Sequence, residues 1–145
     1  MKTAELYDTD FAEWAVQNAE LLRSGRIAEA DLEHIAEEIE DMARRERDAV
    51  QNRLARLIQH LLKWQMQPHM RSASWRRTIM EQRFRIERLL KQNPSFRREL
   101  KDWVGEMYEH AVGLASIDTG LEESSFPKSC PYTVERTLDQ KFLPE

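Results

Sequence analysis

Four positions break the apolar helical patterns of this chain with polar groups, and their chemistry is the first question that the sequence raises. They are Asn18, Glu46, Gln82 with Arg83 beside it, and His110, each near the middle of its pattern. A buried Glu46 would require Arg83 or His110 as a partner, because an unpaired carboxylate in an apolar core is strongly unfavourable. We favour a polar layer that fixes helix register, or polar groups near the edge of each stripe that reach water. The open alternative is a ligand pocket in which Glu46 is the base or anion and His110 its titratable partner.

A run of arginines is the second candidate for chemistry. Residues 71–101 carry a net charge of +7, and their first part contains Arg71, Arg76, Arg77, Arg83, Arg85 and Arg88. Guanidinium groups neutralise phosphates, so a nucleic-acid surface is one hypothesis. The whole chain has a net charge of −4 and no helix-turn-helix signature. We therefore favour the other hypothesis, in which these arginines pair with the acidic residues 37–41.

Metal and covalent chemistry lack a complete motif. The Asp31-x-x-His34 spacing and the pair Glu106 and His110 each fall short of a di-metal bundle site, which needs Glu-x-x-His on two helices. Cys130 is the only cysteine, so it has no partner thiol for a disulfide or a thiolate metal site. No nucleophile elbow and no glycine-rich phosphate loop occurs. We predict no metal and no cofactor, and the residues favour a role other than catalysis.

Helices are the elements that must position these residues. Apolar residues recur every three to four positions along most of the chain, which predicts helices. Their expected bounds are about 9–23, 31–64, 74–91 and 95–117, followed by a tail of residues 118–145 with a short helix near 133–140. The second helix has neither Gly nor Pro and keeps the 3.6-residue period of a straight helix. Its stripe consists of Leu32, Ile35, Ile39, Met42, Glu46, Val50, Leu54, Leu57, Leu61 and Trp64.

The predicted fold is all-α. Short connections favour antiparallel neighbours, so we expect an antiparallel four-helix bundle with the long second helix at its centre. The length suits one core, which predicts a single domain over residues 1–145. The tail is too apolar to be free, and we expect it to pack back on the bundle.

The composition bears on where the protein acts. One third of the residues are charged, and the chain has only four Gly and five Pro, as is typical of helical proteins. The first residues lack the apolar stretch of a signal peptide, and no run of about 18 apolar residues exists. We expect a cytoplasmic protein that does not insert into a membrane.

Several segments of the chain resemble a known family. They are HLLKWQ (His60 to Gln65), SWRRTI (Ser74 to Ile79), TGL (Thr119 to Leu121) and the C-terminal FPKSCPYTVERTLDQKFLPE. In this order they resemble the bacterial family catalogued as domain of unknown function twenty-nine, over Tyr7 to Pro144. The resemblance implies an all-helical fold and a bacterial, often cyanobacterial, source. It implies no catalytic or binding residues.

The function that these observations favour is a protein–protein interaction or structural module. Its partner would be another protein or a second copy of the chain. Two alternatives stay open: a nucleic-acid-associated protein that uses the arginine-rich third helix, and a bundle that binds a metal or small ligand around Glu46 and His110.

Overall fold

The computed structural model describes residues 3–145, and within them every regular element is helical and no strand occurs. The prediction of an all-α fold is confirmed. No helix among these residues has both the length and the apolar character that crossing a bilayer requires. The six α-helices are α1 (Thr3–Thr9), α2 (Phe11–Arg23), α3 (Leu32–Met66), α4 (Ala73–Gln92), α5 (Leu100–Thr119) and α6 (Val134–Leu138).

Helix α3 is the longest element, with 35 residues and a length of about 50 Å at 1.5 Å per residue. The chain forms two compact units, one ending at Arg45 and the other beginning at Glu46. Helix α3 runs through this boundary and contributes to both. Short 3₁₀ turns connect the helices and cover Ile27–Glu29, Pro68–Met70, Pro94–Glu99 and Glu123–Ser125.

Asp31 organises the N-terminal unit. Its carboxylate accepts hydrogen bonds from Trp14 Nε1 at 2.9 Å and from the ring of His34 at 2.6 Å. Its backbone N–H donates to Asn18 Oδ1 at 2.8 Å. Trp14 and Asn18 are buried on α2, so these bonds hold α2 against the start of α3. The bonds to His34 also cap the first turn of α3.

The C-terminal unit has a larger apolar core, formed by the second part of α3, by α4 and by α5. Arg71 donates to the carbonyl of Trp64, and Asn93 at the end of α4 donates to Glu46. These contacts show that α4 runs antiparallel to α3. The core thus draws on three of the four predicted helices. Its most buried large residues are Val50, Leu54, Leu57, Ile58, Leu61, Leu62, Ile79, Ile86 and Leu90.

The C-terminal segment packs on this core, as the sequence predicts. Phe126 and Tyr132 are buried within the core cluster. The hydroxyl of Tyr132 donates to Gln65 Oε1 at 2.6 Å, and the hydroxyl of Tyr108 donates to the carbonyl of Pro127 at 2.6 Å. Burial raises the pKa of Tyr108 to about 12 and also raises the pKa of Tyr132, so both phenols are protonated donors at neutral pH.

Candidate functional site

The residues predicted to form a polar layer lie in separate surroundings, and Asn18 belongs to the N-terminal unit. Its amide nitrogen donates to the carbonyl of Trp14 at 2.9 Å, and its oxygen accepts from the backbone of Asp31. Asn18 is only 2% exposed. Both polar atoms therefore have partners within this unit, where they position α2 and α3.

Glu46 and His110 differ in burial. Glu46 is half-buried and accepts a hydrogen bond from Asn93 Nδ2 at 3.0 Å. His110 is exposed, and the open groove that it lines does not include Glu46. The prediction that His110 interrupts a buried stripe is wrong, because α5 turns a different face to the core. That buried face consists of Trp103, Val104, Tyr108, Ala111, Val112 and Ala115.

Arg83 is the most deeply buried of the predicted site residues with a charge, at 2% exposure. Its guanidinium donates to three backbone carbonyls: Thr137 at 2.7 Å, Phe142 at 2.9 Å and Arg136 at 3.2 Å. The neighbouring Gln82 accepts from Arg53 at 3.2 Å. Arg83 therefore holds the C-terminal segment on α4, and its donors are occupied by that segment.

The other arginines of the third predicted helix divide into bound and free groups. Arg71 donates to the carbonyl of Trp64 and lies over its ring, 5.0 Å from the centroid. Arg85 pairs with Glu81 at 2.7 Å. The remaining ones have no hydrogen bond or ion pair to another described residue, and they are exposed: Arg76, Arg77 and Arg88. Their pairing with residues 37–41 stays a prediction.

A basic apolar face follows from this arrangement, and we define it by Arg77, Met80, Phe84 and Arg88 of α4. Spacings of three and four residues place these side chains on one side of a helix. Met80 is 61% exposed and Phe84 56%. The guanidinium of Arg88 lies 6.0 Å from the centre of the Phe84 ring. The face therefore combines positive charge with apolar area.

An acidic apolar face lies on the first part of α3, and we define it by Leu32, Ile39 and Met42 with the flanking Glu33 and Glu40. Leu32 is 51% exposed and the other two apolar residues are 61% exposed. Residues 31–43 contain six acidic and no basic side chains. The prediction that this stretch of the stripe is core is wrong for these three apolar residues.

The buried polar residues Gln59 and Lys63 belong to a cluster in the C-terminal unit that was not predicted from the sequence. Gln59 and Lys63 on α3 both donate to Asp118 of α5, at 2.6 and 3.0 Å. Lys63 also lies 4.8 Å from the ring centre of Trp75. Partial burial opposes ionisation of Asp118, but the hydrogen bonds from Lys63 and Gln59 outweigh it and lower the pKa of the carboxyl. The signal in the sequence was the presence of two polar residues, Gln59 and Lys63, in a stretch of α3 whose other residues match a core helix.

His60 is buried beside this cluster. Its Nδ1–H donates to the carbonyl of Arg56 at 2.9 Å, since a carbonyl can only accept. Burial lowers the pKa of His60, and the nearby Lys63 acts in the same direction, against the bond to Arg56. The ring is therefore neutral at pH 7, with its proton on Nδ1.

The described residues assemble no reactive centre of a familiar kind. Cys130 is half-buried, and its thiol contacts the carbonyl of Tyr132 at 3.6 Å. Burial raises the pKa of this thiol, which disfavours the nucleophilic thiolate. Within residues 3–145, no three His, Cys, Asp or Glu side chains are grouped closely enough to hold a metal ion.

The segments that resemble the family also supply hydrogen bonds that stabilise the C-terminal unit. A family described as "Domain of unknown function DUF29" matches residues 6–143. The chain belongs to this family. The resemblance predicted from the sequence is thus confirmed. No curated protein and no solved structure matches the chain.

In this DUF29 chain the resembling segments meet in space within the C-terminal unit. HLLKWQ supplies Lys63 to Asp118 and Gln65 to Tyr132. The C-terminal segment supplies the carbonyls that Arg83 binds. These DUF29 segments therefore stabilise the fold. The two faces on α3 and α4, which no part of residues 3–145 covers, are the candidate functional surfaces.

Proposed function

We propose that this DUF29 protein is a protein-interaction module that binds its partner through the acidic apolar face of α3. The supporting observation is that Leu32, Ile39 and Met42 are each more than half exposed on one part of a single helix. Single exposed apolar residues are ordinary, but a row of them is typical of a binding surface. Ala36 and Ala43 are also exposed beside these residues, and their small side chains leave room for those of a partner.

The energetics favour burial of this face by another chain. Complete burial of a Leu, Ile or Met side chain contributes about 1.5–3 kcal/mol, so covering the exposed half of each contributes about 1 kcal/mol or more. The exposed carboxylates of Glu33 and Glu40, which flank the face, attract a basic partner and repel an acidic one. The proposed partner is therefore a basic surface with apolar side chains of its own.

The test replaces Leu32 and Ile39 of the face by polar residues and follows cross-linking in the protein's own cells. A photoreactive residue at position 40, on the rim of the face, should give a discrete cross-linked product. In the L32Q/I39Q variant that product should fall about tenfold, because the apolar contact is lost while the charge is kept. The fold should change little, since both side chains are exposed in the free chain.

The matched control changes an exposed apolar residue on another helix. Ile117 on α5 is 80% exposed, and I117Q should leave the product at position 40 unchanged. A photoreactive residue at position 109, also exposed, should give no such product. Equal cross-linking at positions 40 and 109, or no effect of L32Q/I39Q, would remove the proposed function.

Nucleic-acid binding is the second candidate, and a specific observation favours it. Arg76, Arg77 and Arg88 are exposed and form no ion pair with a described carboxylate, and the exposed ring of Phe84 lies beside Arg88. Arginine with a stacking ring is a common combination for single strands. A mobility-shift titration with single-stranded RNA and DNA at low salt decides the matter: binding that R77E/R88E abolishes would support this candidate, and no binding would remove it.

A further inference from the structure

The two uncovered faces of this chain are complementary in charge. The exposed Glu33 and Glu40 flank the acidic apolar face, whereas the exposed Arg77 and Arg88 flank the basic apolar face. Both faces have large apolar side chains at their centre: Leu32, Ile39 and Met42 on one, Met80 and Phe84 on the other. Each therefore has the properties that the other requires of a partner.

We propose that the partner of the acidic apolar face is the basic apolar face of a second copy of the chain. This inference rests on the proposed function and specifies its partner. Each chain has one face of each kind, so the acidic apolar face of one copy can contact the basic apolar face of another. When both such contacts form between the same two copies, the assembly is closed and has two-fold symmetry, which is the commonest form of homo-oligomer.

The local shapes of the two faces support this pairing. On α3, the exposed Ala36 and Ala43 alternate with Leu32 and Ile39, which leaves depressions between large side chains. On α4, Met80 and Phe84 are exposed neighbours one turn apart. Large side chains of one helix fit the depressions of another in helix packing.

The charged residues around the apolar side chains favour contact with a second copy over contact with an unrelated apolar surface. Glu33 and Glu40 lie one position to the side of Leu32 and Ile39. Arg77 and Arg88 flank Met80 and Phe84, and neither has an ion pair to another described residue, so both keep their charge available. A contact between two α3 faces would instead place acidic side chains against each other, which is unfavourable.

The experiment is sedimentation equilibrium of the purified full chain and of two charge-reversed variants. Wild-type protein should form dimers. E33K/E40K reverses the charges that flank the acidic apolar face, and R77E/R88E reverses those of the basic apolar face, so in each variant alone the charges that meet in the contact are alike and dimerisation should be about tenfold weaker or worse. An equimolar mixture of the two variants should dimerise again, because both reciprocal contacts are then between opposite charges.

Matched controls change the same number of charges away from the faces. E106K/E109K and K101E/K128E alter exposed residues and should dimerise like the wild type. Circular dichroism checks that each variant remains helical. If a charge-reversed variant does not fold, the neutral variants E33Q/E40Q and R77Q/R88Q take its place. Their dimerisation should also be weaker than that of the wild type, but by a smaller factor.

Three results would overturn the inference: a wild type that stays monomeric at high concentration, control variants that weaken as much as the face variants, or a mixture that does not dimerise. The mass of the product cross-linked at position 40 distinguishes failure of this inference from failure of the proposed function. A product with the mass of two chains supports both. A product of another mass that L32Q/I39Q abolishes keeps the proposed function and overturns the second copy as partner.

Discussion

Polar side chains in the interior of this protein are buried where specific groups satisfy them. The buried Arg83 donates to three backbone carbonyls. Lys63 meets Asp118, and His60 gives its Nδ1 proton to Arg56. Among the described residues, no buried side-chain polar atom lacks a hydrogen-bond partner. At the scale of single residues, these bonds show that the polar interior stabilises the fold.

His60 makes a prediction about pH. Burial lowers its pKa below the ordinary value of 6.5, so the unfolded chain takes up a proton at a higher pH than the folded one. The stability that neutral His60 contributes is complete above about pH 6.5 and is lost as pH falls through the lower folded pKa. NMR titration should place the midpoint of the His60 ring below 6.5.

His34 differs from His60, because its pKa is raised and not lowered. The hydrogen bond to Asp31 raises the pKa of His34, so its contribution is complete below about pH 6.5 and is lost as pH rises through the folded pKa. Its midpoint should lie above 6.5. A His60 midpoint at or above that of His34 would contradict the buried, neutral ring described here.

At the scale of elements, Arg83 connects α4 to the C-terminal segment. The segment has only one short helix, α6, so side-chain contacts must hold it in place. Phe126 and Tyr132 fill part of the core. Arg83 binds the backbone at two points, around Thr137 and at Phe142, which fixes the chain direction between them.

R83K tests this connection. Lysine keeps the charge but not the planar set of donors that reaches three carbonyls. The free energy of unfolding should fall by about 2–3 kcal/mol, because buried carbonyls lose partners. Urea denaturation measures that fall, and trypsin should cut faster after Lys141, which is exposed.

The matched control is R85K on the same helix. Arg85 is exposed and pairs with Glu81, and an exposed ion pair contributes little. Its free energy of unfolding should stay within about 0.5 kcal/mol of the wild type. Equal effects of R83K and R85K would show that the three carbonyl bonds do not stabilise the segment.

At the scale of the whole molecule, the two compact units differ in how much they bury. The large apolar residues buried in the N-terminal unit are Leu6 and Trp14, whereas the core cluster of the C-terminal unit has nineteen buried residues. Apolar burial is the dominant favourable contribution to folding. The N-terminal unit should therefore open more easily.

Amide hydrogen exchange tests this difference. Amides of α2 (Phe11–Arg23) should exchange at least about tenfold faster than those of residues 54–62 in α3 and 103–115 in α5, because local opening costs less where fewer contacts are broken. Mass spectrometry of peptic fragments measures the rates. Equal protection in both units would contradict the expectation. If the proposed dimer forms, α3 residues 32–43 should gain protection as the protein concentration rises.

The helices and the family could be predicted from the sequence, because both depend on local patterns. Helix periodicity, the absence of Gly and Pro through α3 and the stops near residues 67 and 93 act within a few neighbouring residues. The bounds of α3, Leu32–Met66, lie within two residues of the expected ones. The short α1 was not predicted, since its seven residues form too brief a pattern.

Burial and partners could be decided only by the tertiary structure. The stripe of α3 has one period from Leu32 to Trp64, yet its first part is exposed where its second part is core. The sequence determines which face of a helix is apolar, but coverage depends on which distant segments pack there. Likewise, Arg83 binds carbonyls more than fifty residues away, and backbone carbonyls have no signature in the sequence. Periodicity is a property of one helix, whereas burial is a property of the contacts between elements.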